Sequence, residues 1–249
     1  MEDLDYLSII ILKKPDQKQF FPVELGSGAT KESGIMTGEK FIHDIELIIG
    51  HFKQTIFKHS FFQREEMEIK ETKHHYYMKI TGFFFLHPDY KNRLIQIFEV
   101  LKLNDQKFHL TRLDHAYTFA EDFNSFSKDL MRIKTSDNIT RGVYEKKKSM
   151  TYYSCFNSRF SMVGYNKRQQ MKVKKNKNEE YRKLFFMKYG LAGTRLEFRL
   201  KSKSELLPMT EMIQNDPVSF LNSFAEYAKS KARIRLVYLP RKLKRLLLM

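Results

Sequence analysis

Polar and apolar residues alternate along much of this chain, and the alternation predicts strands. In residues 194–202, single polar residues separate Leu196, Phe198 and Leu200, and this period of two gives a strand one buried face. Apolar residues in 41–56 instead recur every three or four positions, as in an amphipathic helix. Similar patterns predict further strands at 6–14, 66–72, 76–86, 107–119, 143–156 and 159–171, and further helices at 88–101, 123–133, 179–189 and 217–229.

The order of these elements indicates the fold class. Strands and helices that mix without strict alternation favour an α+β fold with antiparallel sheets packed against helices. Similar elements follow one another before and after residue 105, so we predict two similar α+β halves at 1–105 and 106–249. The second half would end in a basic tail at 229–249.

Composition excludes several common classes of protein. No run of about 18 apolar residues is present, so we expect no membrane span. The acidic N-terminus lacks the basic segment of a signal peptide. The single cysteine, Cys155, excludes an internal disulfide and a multi-cysteine zinc site. We therefore expect a cytoplasmic protein.

The charge balance indicates a polyanionic partner. Lys and Arg number 45 against 29 Asp and Glu, a net charge of +16, and a domain this basic usually binds nucleic acid. The alternatives are a generic basic protein and a lipid-binding one that uses Leu246–Leu248. The clustered cations that we expect to contact DNA phosphates are Arg168, Lys172, Lys174, Lys175, Lys177, Arg241, Lys242, Lys244 and Arg245.

Three predicted strands have polar faces that suggest chemistry. One interpretation is an outer sheet face with cross-strand salt bridges. The other is a site in which two carboxylates hold a divalent cation, a tyrosine attacks phosphorus, and basic residues stabilise the charge on the phosphoryl group. The residues that share a face within their strand are Arg112 and Asp114; Arg159, Ser161, Tyr165 and Lys167; and Arg195, Glu197 and Arg199.

Three ordered motifs carry a resemblance to a known family. TRLDHAYTF at 111–119, YYSCFNSRFSMVGYNKRQQ at 152–170 and TRLEFRL at 194–200 resemble the three blocks of the replication initiation factor family. That family comprises rolling-circle initiators of small plasmids and filamentous phages. The resemblance covers about 90 residues and implies an α+β fold with curved antiparallel sheets. It also implies site-specific, metal-dependent nicking of one DNA strand through a covalent tyrosine–DNA intermediate.

The resemblance also assigns roles to individual residues. Tyr165 would be the nucleophile, with Arg159 and Lys167 as its phosphate partners. Asp114 and Glu197 would be the acidic residues that hold Mg²⁺ or Mn²⁺. Nearby cations or the metal would favour the phenolate form of the tyrosine. Arg112, Arg195 and Arg199 would add to the DNA-binding surface.

The chain departs from the family pattern at two positions. Thr118 stands where the family often has a second acid, and Asn157 stands where it usually has glycine. The first departure supports an alternative function, a non-catalytic basic DNA-binding regulator. An RNA-binding factor would need aromatic stacking platforms, which the sequence does not locate.

The expected partners follow from the same resemblance. They are origin DNA in double- and single-stranded form and the host polymerase. A separate host helicase is expected as well, because no G-x-x-x-x-G-K-[ST] loop is present. The sequence leaves open whether the protein is a monomer or a homodimer.

Other residues have simpler interpretations. His74-His75 is predicted to lie in a turn, because adjacent strand residues point to opposite faces and do not form a metal pair. Tyr152 and Tyr153 are rival nucleophiles, although cross-strand packing also explains them. Cys155 lacks an evident base partner.

Overall fold

The computed structural model describes most of the chain. It covers residues 2–13, 40–56, 60–120, 134–135, 140–146, 150–156, 160–173, 179–190 and 193–238, and the single positions 123, 126, 128, 129, 132, 241 and 244. The predicted loop 15–37 and the predicted turn at Asn157-Ser158 lie outside these residues.

A large antiparallel sheet dominates the described residues. Its ten strands in chain order are β1 (Glu2–Leu12), β2 (Lys53–Ile56), β3 (Ser60–Gln63), β4 (Met67–Glu71), β5 (His75–Ile80), β6 (Phe108–Phe119), β8 (Thr140–Lys146), β9 (Met150–Phe156), β10 (Phe160–Asn166) and β11 (Thr194–Leu200). The pair β7 (Lys134–Thr135) and β12 (Leu236–Tyr238) forms a separate small sheet.

The strand order shows two similar halves within one sheet. The order is β2-β3-β4-β5-β1-β6-β11-β10-β9-β8, and each neighbouring pair is antiparallel. In each half, a long first strand pairs with the last strand of a four-stranded meander. The two long strands, β1 and β6, pair at the centre of the sheet, so residues on β6 and β11 lie beside residues contributed by the first half.

Helices cover the apolar face of the sheet. The helices are α1 (Lys40–Ile49), α2 (Tyr90–Leu103), α3 (Lys167–Val173), α4 (Glu179–Tyr189), α5 (Lys203–Asn215) and α6 (Pro217–Arg235), with a short 3-10 helix at Phe84–Leu86. One core runs through both halves and joins the sheet to α1, α2, α5 and α6, with Phe98, Phe198 and Phe220 fully buried in it. Burial of such side chains is the main driving force for folding.

A second, smaller apolar cluster lies beside the polar part of the sheet. It joins α3, α4 and the 3-10 helix through Phe83, Met171, Tyr181 and Phe185. The rings of Phe83 and Tyr181 stack with their centroids 5.8 Å apart. This cluster forms one wall of the candidate site.

The predicted α+β class is confirmed, and several element boundaries differ. The predicted strand 159–171 ends at Asn166, because the Asn166 side-chain oxygen accepts the backbone N–H of Gln169 at 3.0 Å and so caps α3. The predicted strand 143–156 is divided into β8 and β9. Helix α5, which contains Pro208, was not predicted, and α6 continues to Arg235 and so includes the start of the predicted basic tail. No described helix is long and apolar enough to cross a membrane.

Candidate active site

Four neighbouring strands bring the predicted site residues together. In the registers of β1, β6, β11 and β10, Tyr6 pairs with Asp114, Asp114 with Arg199, and Arg195 with Tyr165. The polar faces predicted from the period of two therefore form one surface. The Tyr165 cluster, as we call this surface, consists of Asp5, Arg112, Asp114, Tyr165, Lys167, Arg195, Glu197 and Arg199.

Tyr165 supplies the hydroxyl group of this cluster. Only 4% of the residue is exposed, and its O–H donates a short hydrogen bond to Glu197 Oε1. Lys167 reaches back from the first turn of α3 and donates to the Tyr165 hydroxyl at 3.2 Å. Burial, and then the Glu197 carboxylate, raise the pKa of Tyr165 well above its usual value. These two effects outweigh the nearby cations, so the cations alone do not favour the phenolate expected from the sequence.

Glu197 is held as a carboxylate by several cations. Arg199 Nη2 donates to Oε2 at 2.6 Å, and Arg195 Nε lies 3.3 Å from Oε1. Burial alone would raise the pKa of Glu197, but Arg199, Arg195 and Lys167 lower it below its usual value. Glu197 is therefore ionised at neutral pH, and its Oε1 is positioned to take the Tyr165 proton.

The environment of Asp114 favours its ionised form less than the environment of Glu197 does. Arg112 Nε donates to its Oδ1 at 2.8 Å, and Arg199 Nε lies 3.4 Å from its Oδ2. Only 1% of Asp114 is exposed, and burial raises its pKa to about 6 despite the two arginines. Arg199 thus connects the two acids identified in the sequence.

Asp5 was missed by the sequence reasoning. Strict alternation would point Asp5 towards the core, but Asp5 and Tyr6 together oppose a single residue of β6, which is the geometry of a β-bulge. The bulge turns Asp5 onto the polar face, where it forms an ion pair with Arg195 in the neighbourhood of Glu197. Burial raises the pKa of Asp5 despite Arg195, and Glu197 raises it further, so Asp5 and Glu197 act as a carboxyl pair.

Thr118, which stands where the resembled family often has a second acid, contacts an arginine of the Tyr165 cluster. Thr118 is buried, and its hydroxyl oxygen accepts a hydrogen bond from Arg195 Nη1 at 2.8 Å. The same guanidinium contacts Asp5. An acid from β1 therefore reaches the arginine that Thr118 contacts, and the cluster keeps three carboxylates.

The carboxylates do not form a ready-made metal cage. Among the described residues, no group of three or more His, Cys, Asp or Glu side chains is arranged to hold a metal ion. Asp114 and Glu197 are two oxygen donors at one cleft, each engaged by arginine. This donor set fits Mg²⁺, which proteins often hold with one or two carboxylates and the phosphates of the substrate.

A cleft of about 420 Å³ opens beside the cluster. One wall carries the charged side chains of the Tyr165 cluster. The other wall is formed by residues 65 and 81–83 of the first half of the chain and by Tyr181 of α4. Its volume is in the range of small-ligand sites. The lining residues are Asp5, Tyr6, Glu65, Thr81, Gly82, Phe83, Arg112, Asp114, Lys167, Tyr181, Glu197 and Arg199. A Cβ on Gly82 would lie 2.8 Å from Asp5 Oδ1, so glycine leaves the space that Asp5 occupies.

Some of the other predicted site residues lie within the described part of the chain and some lie outside it. Arg168 lies on α3 with its guanidinium over the Phe186 ring at 5.6 Å, and Arg241 and Lys244 are exposed. His74 is exposed in the bend between β4 and β5, as predicted, whereas His75 is the first residue of β5 and not part of the turn. The predictions that fall outside the described residues are those for Arg159, Lys174, Lys175, Lys177, Lys242, Arg245 and the side chains of Tyr152, Tyr153, Cys155 and Lys172.

Comparison with known proteins relates the fold to one solved structure. Neither a protein-family profile nor a curated protein sequence matches the chain. The fold is similar to that of the rolling circle replication initiator protein from Geobacillus stearothermophilus. The TM-score is 0.53, the identity is 13%, and the match covers 96% of this chain and 87% of that one. At this identity the likeness establishes a shared α+β fold.

Proposed function

We propose that this protein is a rolling-circle replication initiator that nicks one strand of DNA through Tyr165. The observation that carries the proposal is the position of the Tyr165 hydroxyl, which lies between a carboxylate and a lysine that both line a cation-rich cleft. The likeness in fold to a rolling circle initiator, and the three sequence motifs, support the same conclusion.

The proposed reaction starts from a neutral phenol. Because the pKa of Tyr165 is raised, attack requires a general base, and Glu197 accepts the proton through the existing hydrogen bond. Glu197 becomes a stronger base when Arg199 moves from it to the DNA phosphate, since Arg199 is the first of the cations that lower its pKa. The phenolic oxygen forms a bond to phosphorus, and the bond from phosphorus to the 3′ oxygen breaks. The leaving oxygen lies on the opposite side of phosphorus and takes a proton from solvent, while Glu197 keeps the phenolic proton, so the products are a 5′-phosphotyrosine and a free 3′-hydroxyl.

The cations of the cluster stabilise this transfer. Lys167 faces the attacking oxygen at 3.2 Å, while Arg112 and Arg199 line the cleft where a phosphate enters. Positive groups aimed at the charge that develops on a transferring phosphoryl group lower the barrier. The 3′-hydroxyl would prime synthesis by the host polymerase on DNA opened by a separate helicase.

Metal dependence is part of the proposal. Asp114 and Glu197 would hold Mg²⁺ or Mn²⁺ together with the DNA phosphate, and Arg112 and Arg199 would exchange from these carboxylates to the phosphate. When bound, the ion supplies Lewis-acid polarisation of the phosphate.

Supercoiled plasmid tests the activity and its metal requirement together. With Mg²⁺ or Mn²⁺, the protein is expected to give relaxed circles and a protein–DNA adduct that resists denaturant. With EDTA, both products should be lost, because the phosphate then lacks its metal partner. Full activity in EDTA would contradict the metal requirement, while the absence of any adduct under every metal would contradict the enzyme.

A second function is favoured by one observation. Tyr165 is almost fully buried, and both predicted acids are engaged by arginines, which also describes a non-catalytic DNA-binding regulator. Such a regulator would bind DNA through the same basic surface and form no adduct, so the plasmid assay separates the two functions.

DNA affinity is expected to fall steeply with salt under either function. The net charge of +16 implies many phosphate contacts, each of which releases counterions. For 6–10 contacts the loss between 50 and 200 mM salt is about 10³- to 10⁵-fold. Fluorescence anisotropy with labelled duplex measures it. Truncation after Tyr238 keeps α6 and β12 intact and should lower the salt slope without changing sequence preference. Affinity independent of salt would contradict the phosphate contacts.

A further inference from the structure

Tyr6 is an aromatic residue of the cleft that the proposed reaction does not use. It lies on β1, opposite Asp114 in the β1–β6 pairing, and its half-buried side chain lines the cleft. The guanidinium of Arg112 lies over the Tyr6 ring, 4.2 Å from its centroid. The same bulge that turns Asp5 onto the polar face therefore places an aromatic ring beside the phosphate-binding cations.

A second tyrosine supports this ring from the next strand. Burial, and then the neighbouring Tyr77 on β5, raise the pKa of the Tyr6 hydroxyl, and Lys79 lies 5.5 Å from the centroid of the Tyr77 ring. Tyr6 and Tyr77 therefore lie together on the polar face of the sheet. The polar face continues from Tyr165 through Asp114 and Tyr6 to Lys79.

Aromatic rings next to basic groups are the usual features of sites for unpaired nucleotides. Bases released from a duplex stack on Tyr rings and on Arg guanidinium planes, and nearby cations follow the backbone. Tyr6 and Arg112 supply both kinds of plane at one place. The strands that carry Tyr6 and Tyr165 are three positions apart, about 14 Å at the usual strand spacing. The registers also place Tyr6 level with Arg199 and Tyr165 level with Arg195, an offset of about 13 Å along the strands. A base on Tyr6 would thus belong to a nucleotide a few positions from the attacked phosphate.

We propose that Tyr6, adjoined by Tyr77 and Arg112, is a stacking platform for an unpaired base of single-stranded DNA a few nucleotides from the nicking site. The proposal rests on the proposed function, since it places DNA in the same cleft. It gives the first half of the chain a role in selecting single-stranded over duplex substrate, because a paired base does not expose its face.

Binding measurements in a Tyr165→Phe background test the platform without chemistry. Tyr6→Ala should weaken binding of a single-stranded oligonucleotide by about 5- to 150-fold, the usual effect of losing one stacked base. Its duplex affinity should change less than about two-fold. Tyr6→Phe keeps the ring and should bind like its parent. An oligonucleotide with 2-aminopurine scanned along its length should show one position whose fluorescence changes on binding to the parent but not to Tyr6→Ala.

A matched control separates stacking from general loss of an aromatic residue. Phe186 is 41% exposed, lies near an arginine as Tyr6 does, and is absent from the cleft lining. Phe186→Ala should therefore keep single-strand affinity. Equal loss for single-stranded and duplex DNA, or equal loss with Phe186→Ala, would overturn the platform, as would unchanged binding by a folded Tyr6→Ala protein. If no adduct forms but Tyr6→Ala still lowers single-strand affinity selectively, the nicking proposal fails and the platform stands.

Discussion

Tyr165→Phe is expected to abolish nicking and the covalent adduct while leaving the fold and DNA affinity close to wild type. The substitution removes only the hydroxyl that would attack phosphorus, and loss of a nucleophile costs at least about 10³-fold in rate. The variant also loses the hydrogen bonds to Glu197 and Lys167. Because Glu197 keeps Arg195 and Arg199, we expect a stability cost of only about 1–2 kcal/mol.

Peptide mapping of the trapped wild-type adduct completes this test. The nucleotide should be on Tyr165. Tyr181→Phe is a suitable control, because this tyrosine lines the cleft and its ring centroid is 5.9 Å from Lys167 Nζ, whereas the hydrogen bond to Glu197 Oε1 comes from Tyr165. It should nick normally. An adduct on Tyr144, Tyr152, Tyr153 or Tyr181 would keep the enzyme class and refute the assignment of Tyr165.

The period of two was sufficient to predict most of the site surface. It placed Glu197 with its flanking arginines and Arg112 with Asp114, and the structure confirms both groupings. This works because side chains in a regular strand alternate strictly between faces. It could not identify Asp5, because a bulge breaks the alternation and depends on the pairing of β1 with β6, two strands about 100 residues apart in sequence.

The sequence could predict the local structure at Lys167 but not the protonation state of Tyr165. The helix that begins at Lys167 was available from the sequence, since Asn166 is a favoured capping residue. The protonation state of Tyr165 was not, because it depends on the burial of the phenol in the folded protein and on its hydrogen bond to Glu197. The charged residues in a sequence indicate which groups can attract one another. Whether the pKa of a group rises or falls also depends on how deeply the fold buries it.

Asp114→Asn and Glu197→Gln are expected to lose nicking alike but to change stability in opposite directions. A neutral amide is a poor ligand for a hard cation, and Gln at 197 accepts no proton from Tyr165, so each variant should lose activity at least about 10²-fold. DNA binding should remain close to wild type, since the arginines and Lys167 are kept.

The stability difference follows from the two carboxyl environments. Because burial raises the pKa of Asp114 from 3.8 to about 6, ionised Asp114 costs about 3 kcal/mol at pH 7, and this cost disappears as the pH falls from about 6 to 4. Glu197 has a pKa below its usual 4.5, so it stabilises the fold above that pH and loses this contribution in acid. Urea unfolding at pH 7 should therefore find Asp114→Asn at least as stable as wild type and Glu197→Gln less stable. Repeating the measurement at pH 4 should remove the advantage of Asp114→Asn. If Asp114→Asn is instead markedly less stable than wild type at pH 7, the Arg112–Asp114 ion pair stabilises the sheet. That result would support the interpretation of this face as structural salt bridges, and it would count against a site that keeps a destabilising buried charge for its chemistry.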